Sequence, residues 1–306
     1  MGGITVDTIN PNVKAMEYAV RGAIVTRAGE LEAQLKKDPT SLPFEKIIMC
    51  NIGNPQSVGQ KPITFYRQVL ALTDYPQLMD APEASKLFPA DVMATAKHIL
   101  ENMKGGTGAY SESKGVAALR QMVANGIEAR DGGHKCDIDD LWLTDGASVA
   151  CHYIMKTLIR DNNDAVMVPI PQYPLYSASL ALYGGTLVPY YLDEDKKWGL
   201  DVADLKVQLD KARAAGKEVR ALCVINPGNP TGAALNVDNQ KEIVQFCKDE
   251  DVLLIADEVY QENVYAEGKS FTSFKKVVRD MGLDIPLVSM QSTSKGFYGE
   301  CGRRGG

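Results

Sequence analysis

Lys295 stands directly after a short apolar run, in Ser292-Thr-Ser-Lys295-Gly296, and so offers a primary amine where the chain leaves a core. An amine so placed can condense with a carbonyl compound to form a Schiff base. A lone lysine is nearly always a solvated surface residue, so its neighbours decide whether it does chemistry. Asp257-Glu-Val-Tyr260 follows the apolar run 252–256 and supplies a carboxylate and a phenol. Aspartate there also suits a helix cap. Asn226-Pro-Gly-Asn229-Pro-Thr-Gly232 follows the run ending at Ile225. Proline and glycine make such a segment a turn, yet it also presents an amide. Gly302-Arg303-Arg304-Gly-Gly306 adds guanidinium groups. A carboxylate can keep a pyridine nitrogen protonated, an amide and a phenol can bond a ring oxygen, and arginine with a helix N-terminus can hold a phosphate dianion. Amine, carboxylate, amide, phenol and arginine together are what pyridoxal phosphate requires.

These groups belong together only if the elements before them end at one edge. The sequence predicts strands at 141–144, 165–168, 186–191, 219–225, 252–256 and 287–291, with helices between them, for example at 201–215 and 237–250. Runs such as Ala221–Ile225 and Val252–Ala256 are apolar throughout, as in strands covered on both faces, so an α/β fold with a mostly parallel sheet is expected. In such sheets ligands sit beyond the carboxyl ends of the strands. Upstream, one long helix is expected over 12–37, closed by Asp38-Pro39, and two helices over 61–104, parted at Asp80-Ala-Pro82. Lys104-Gly-Gly-Thr-Gly108 marks the domain boundary.

Composition narrows the alternatives. The 33 basic and 39 acidic residues give a net charge of −6 with no basic stripe, which argues against nucleic acid. Six cysteines without a C-x-x-C pair read as reduced thiols, and three histidines without ligand spacing predict no metal site. No apolar run reaches about 18 residues, so no membrane span is expected. The first residues lack a signal-peptide pattern and carry Val6 where myristoylation needs Ser or Thr, so the expected address is cytoplasmic.

The blocks N-P-G-N-P-T-G, D-E-V-Y and S-T-S-K-G-F-Y-G-E-C-G-R-R-G-G resemble the fold-type I (class I/II) aminotransferases, and the last resembles the alanine aminotransferase branch of that family. Asn51-Ile-Gly53, Gly59-Gln-Lys-Pro-Ile-Thr64, Tyr110-Ser-Glu-Ser-Lys-Gly115 and Ile170-Pro-Gln-Tyr-Pro-Leu-Tyr176 extend the resemblance from about residue 10 to the last residue. It implies transfer of an amino group between L-alanine and 2-oxoglutarate by a ping-pong mechanism on pyridoxal phosphate. Alternatives are glutamate–glyoxylate transamination, or a truncated, non-catalytic protein that binds the cofactor or dimerises. Lys295 resembles the Schiff-base lysine and proton shuttle, Asp257 the partner of the pyridine nitrogen, and Asn229 and Tyr260 the donors to the ring oxygen. Tyr173 resembles the aromatic that stacks on the ring. Gly146, Ala147 and Ser148, with Ser292, Ser294 and an arginine, resemble the phosphate cradle; Arg304 is preferred over Arg303. Tyr110 resembles a tyrosine that reaches the phosphate of a neighbouring subunit, so a homodimer is expected, although a partly buried core tyrosine is the other reading. Gly53 is placed at the substrate. By the same resemblance residues 1–104 are an N-terminal arm and part of a small domain, and 105–306 an incomplete cofactor domain. Relatives continue beyond the arginine into a small domain that holds the substrate carboxylate, so the chain is expected to be a fragment that binds substrate poorly.

Overall fold

The structure, a computed structural model, describes residues 3–306. It divides into two compact units, one joining the residues up to Asn54 with Ser148–Met290, the other joining Pro55–Ala147 with Gln291–Gly306.

The first unit is built on a six-stranded sheet of β1 (Asp164–Ile170), β2 (Thr186–Asp193), β3 (Gly199–Leu200), β4 (Glu218–Ile225), β5 (Leu253–Asp257) and β6 (Leu287–Met290), in the order β3-β2-β1-β4-β5-β6. Every pairing is parallel except that of β2 with the short β3. This is the expected α/β architecture, and five of the six predicted strands lie in it. Side chains alternate between the two faces. Met167, Leu222, Val224, Leu254 and Ala256 pack with Leu205, Leu209, Ile243, Val244 and Phe274 from the helices Val202–Ala214, Val237–Glu250 and Phe274–Asp280. The alternate residues Val166, Val168, Cys223 and Ile255 are equally buried. Burial on both faces is why these strands lack a polar alternation, and each large apolar side chain so buried contributes about 1.5–3 kcal/mol. Asp201 and Asn236 cap the first two of those helices by accepting from the Ala203 and Asn239 amides at 2.8 Å.

Because β2 lies on one side of β1 and β4 on the other, the connection reverses direction there, and a crevice opens at the carboxyl ends of β1 and β4. The register aligns Ile225 with Asp257 and Asp257 with Met290, so three strands end level at that edge.

The helix expected over 12–37 is broken. Pro11–Ala15 and Ala23–Lys37 are helical, with Met16 and Gly22 extended between them. Tertiary partners win there: the Tyr18 hydroxyl bonds that of Tyr173, and the Val20 carbonyl accepts from Asn51 at 2.9 Å.

In the second unit the helices Thr64–Asp74 and Ala90–Asn102 pack Val69 and Leu72 against Val92 and Ala96, with short turns over Pro76–Asp80 and Ala84–Leu87 between them. Residues 141–144 form no strand of the sheet, contrary to the sequence reading. The Leu143 amide donates to Lys114 at 2.9 Å, and Thr144 exchanges one reciprocal pair of bonds with Gly306, so no continuous ladder develops.

Candidate active site

The loop after β4 is fixed by its own backbone. The buried Asn226 donates its amide to the Asp257 carbonyl at 2.9 Å and accepts from the Leu235 amide at 3.0 Å. The Gly228 amide donates to the Ala233 carbonyl at 2.8 Å. Asn229 is thereby presented half-buried, and its Nδ2 donates to the Tyr260 hydroxyl at 3.4 Å. Tyr260 follows β5, so the two side chains expected at a ring oxygen meet although 31 residues separate them.

Asp257 closes β5 on the face opposite Leu254 and Ala256. It is 7% exposed; Oδ2 accepts from the Tyr176 hydroxyl at 2.6 Å and Oδ1 from the Val259 amide at 3.3 Å. Burial pushes its carboxyl above the usual range, and the two donors pull it part of the way back. Among the described residues no basic side chain pairs with it. The phenol of Tyr176, itself wholly buried, is pushed well up by burial and then by the Asp257 charge.

Tyr173 follows β1. Its hydroxyl bonds that of Tyr18, and the two rings meet edge to face at 6.1 Å. Neither Tyr18 nor Tyr176 was among the residues singled out from sequence. No sequence signal sets Tyr176 apart, because the helix Leu175–Tyr183 in which it lies also carries Ser177, Ser179 and a second tyrosine.

The second unit assembles a separate group. Gly146 has φ +97°, and a Cβ there would lie 2.6 Å from Arg304 Nη2. That guanidinium donates to the Asp145 carbonyl at 3.0 Å, to the Cys301 carbonyl at 2.9 Å and to Ser294 Oγ at 3.3 Å. Ser292 Oγ accepts from the Ser294 amide at 3.1 Å and donates to the Gly305 carbonyl at 3.1 Å. Gly146, Ser292, Ser294 and Arg304 are thus brought together, whereas Arg303 lies near Glu300. Ala147, the last residue of this stretch of the second unit, opens the 12-residue helix Ala147–Leu158; Ser148, in that helix's first turn, belongs to the first unit. Free amides at such an end attract anions. Lys295 is half-buried between Ser294 and Gly296. Tyr110 is fully exposed, which removes the core reading for it, and Gly53 is exposed too.

Residues 80–306 match the family model for aminotransferase class I and II. The chain belongs to the class I and II aminotransferases. It is 57% identical over 307 residues to alanine aminotransferase 2 of Panicum miliaceum, covering 99% of this chain and 64% of that protein. Alanine aminotransferase 1, mitochondrial, of Arabidopsis thaliana is also 57% identical, with 99% and 56% covered. Glutamate–glyoxylate aminotransferase 1 of the same plant is 50% identical, with 98% and 61% covered. The chain therefore spans 56–64% of the length of these curated relatives. An alanine aminotransferase from Pyrococcus furiosus has the same fold, with a TM-score of 0.73 and 23% identity over 97% of this chain and 62% of that one.

Class I and II aminotransferases use pyridoxal phosphate. The residues of this chain fit that group. A buried carboxylate whose partners among the described residues are a phenol and an amide matches a cationic ring N–H, and a guanidinium with two serine hydroxyls beside Gly146 matches a phosphate.

Proposed function

We propose that this protein moves an amino group between L-alanine and 2-oxoglutarate, giving pyruvate and L-glutamate, in two half-reactions. When bound, pyridoxal phosphate supplies a carbonyl that condenses with amines and a ring that accepts electrons from the substrate's Cα. In this reading Asp257 stays ionised and holds a proton at the ring nitrogen. Tyr176 and the Val259 amide stabilise that ionised form against burial. Asn229 and Tyr260 donate to the ring oxygen, and Tyr173 lies against the ring. Arg304, Ser292, Ser294 and the Gly146-Ala147-Ser148 helix start hold the phosphate. Lys295 Nζ would take the Cα proton of the amino acid and redeliver it to the carbon on the far side of the amino nitrogen, while Gly53 would border the substrate.

One observation carries the reading most: a carboxylate buried level with two neighbouring strand ends, in a loop cluster that also supplies an amide and a phenol for the ring oxygen. Alanine as donor is supported by the relatives at 57% identity, which are named for it, against 50% for the glutamate–glyoxylate enzyme. A homodimer with Tyr110 directed to the neighbouring phosphate belongs to the same proposal and is supported by the full exposure of that side chain. So does a cytoplasmic address. Relatives from Arabidopsis and Dictyostelium carry mitochondrial names, and import of the labelled protein into isolated mitochondria would overturn that address.

Steady-state rates on purified protein loaded with pyridoxal phosphate test the function. Alanine with 2-oxoglutarate should be turned over fastest. A preference for glutamate with glyoxylate would move the assignment to that reaction, and no turnover of any amino donor would support a binding role instead.

A further inference from the structure

Two sequence blocks, Gly59–Thr64 and Gly299–Gly302, take no part in the chemistry above, yet the second unit brings them together. Three side chains from 56–67 reach acceptors on Phe297, Gly299 and Glu300, in the segment that follows Lys295. Gln60 Nε2 donates to the Phe297 carbonyl at 2.8 Å, and Gln56 Nε2 to the Gly299 carbonyl at 3.0 Å. Arg67 grips Glu300 with two parallel bonds, Nε to Oε1 at 2.9 Å and Nη2 to Oε2 at 3.0 Å. Such a fork fixes direction as well as distance. The Arg67 guanidinium also holds the Glu300 carboxyl below its usual range. At Gly299, φ is +59°, and a Cβ would lie 2.8 Å from Gln60 Oε1, so a larger residue would displace that side chain from its bond.

The gripped segment needs outside support. It contains Gly296, Gly299 and Gly302, residues that restrict the backbone least. Its internal ties carry the restraint onward to the functional groups. The Glu300 amide donates to the Thr293 carbonyl at 2.9 Å, and Cys301 Sγ donates to the Ser294 carbonyl at 3.0 Å, the residue directly before Lys295. Arg304 then binds the Cys301 carbonyl and Ser294 Oγ. Holding Glu300 therefore holds both ends of the loop that runs from Lys295 to Arg304. The Arg67 side chain is 38% exposed and that of Glu300 11%, so solvent screens the pair and its contribution is geometric more than energetic.

We propose that Gln56, Gln60 and Arg67 are positioning residues for the Lys295–Arg304 loop, with Arg67–Glu300 as the deciding contact. This rests on the roles given to Lys295 and Arg304 under the proposed function.

The test compares wild type with Glu300→Gln and Arg67→Lys in the full chain, using pyridoxal phosphate as the probe. Two readouts are taken: hydrogen exchange at the Glu300 and Thr293 amides, and the borohydride-trapped fraction on Lys295 per folded molecule, with unfolding midpoints alongside. Both variants should exchange roughly tenfold faster at those amides, as loss of one charged hydrogen bond allows, and should trap less cofactor on Lys295 at an unchanged midpoint. A lower midpoint with unchanged trapping per folded molecule would mean a merely structural contact and would overturn the proposal, as would unchanged exchange in both variants. Wild type that traps nothing on Lys295 would sink the proposed function instead, and exchange at Glu300 would then decide the loop-holding role by itself.

Discussion

Tyr176 donates its hydroxyl to Asp257 Oδ2 at 2.6 Å, and both residues are buried. The bond joins the first turn of the helix after β1 to the last residue of β5, and it defines what the carboxylate lacks. An acid this deep keeps its charge only at a cost, which a phenol and one amide offset in part. In the proposed function a cationic ring N–H offsets the rest.

The first prediction concerns Asp257→Asn. Burial raises the Asp257 carboxyl in the folded protein. A raised acid stabilises the fold below its unfolded value of 3.8, and that contribution disappears as pH rises through the folded value. Without cofactor at neutral pH, the neutral amide should therefore raise the melting temperature by a few degrees, and the gain should vanish in acid. Turnover should fall roughly a hundredfold or more, as on removal of a charge-stabilising group. Calorimetry across pH and a rate assay check the two halves; a variant less stable than wild type at neutral pH would contradict the first.

Tyr176→Phe removes one hydroxyl and keeps the ring. The remaining carboxylate loses its shortest hydrogen bond, so the Asp257 carboxyl should titrate higher still, followed by ¹³C NMR of labelled aspartate. Stability at neutral pH should drop by about 1–3 kcal/mol, the usual cost of a lost buried bond to a charged group. An unmoved titration would remove Tyr176 from the site.

Gly146→Ala places a methyl group where Arg304 now lies and forces a residue with a side chain to φ +97°. The guanidinium must move, so affinity for pyridoxal phosphate should fall about tenfold or more, while affinity for pyridoxal, which has no phosphate, should change little. Equal losses for both ligands, measured by fluorescence quenching, would contradict the role of Arg304.

Asp164 tests the sheet rather than the site. The Arg160 guanidinium holds this buried carboxyl down to about 2. A lowered acid stabilises the fold above its unfolded value of 3.8, and the contribution is lost as pH falls towards about 2. Asp164→Asn should thus be less stable than wild type at neutral pH and converge with it in strong acid, by urea titration at each pH.

The fold was legible wherever burial was uniform. The runs 219–225 and 252–256 become β4 and β5 within a residue because strands covered on both faces are apolar throughout. The segment 141–144 misled because Leu-Trp-Leu-Thr looks like such a run, yet Trp142 is exposed with the Lys114 ammonium 4.6 Å from its ring centroid. The region 12–37 misled because helical spacing says nothing of a distant partner, and Tyr18 meets Tyr173 across 155 residues. In the candidate site, residues in turn-rich blocks could be picked out, since several glycines, prolines and polar groups in fixed order are hard to attribute to turns alone. Tyr176 and Arg67 were not, because a tyrosine or an arginine within a helix looks like packing or a solvated face until the partner element is placed.

The central claim is that Lys295 carries the cofactor, and borohydride reduction tests it most directly. Protein incubated with pyridoxal phosphate, reduced, digested and sequenced by mass spectrometry should bear a phosphopyridoxyl group on Lys295, and Lys295→Ala should bear none. An adduct on a different lysine in wild type, or no adduct at all, would contradict the account.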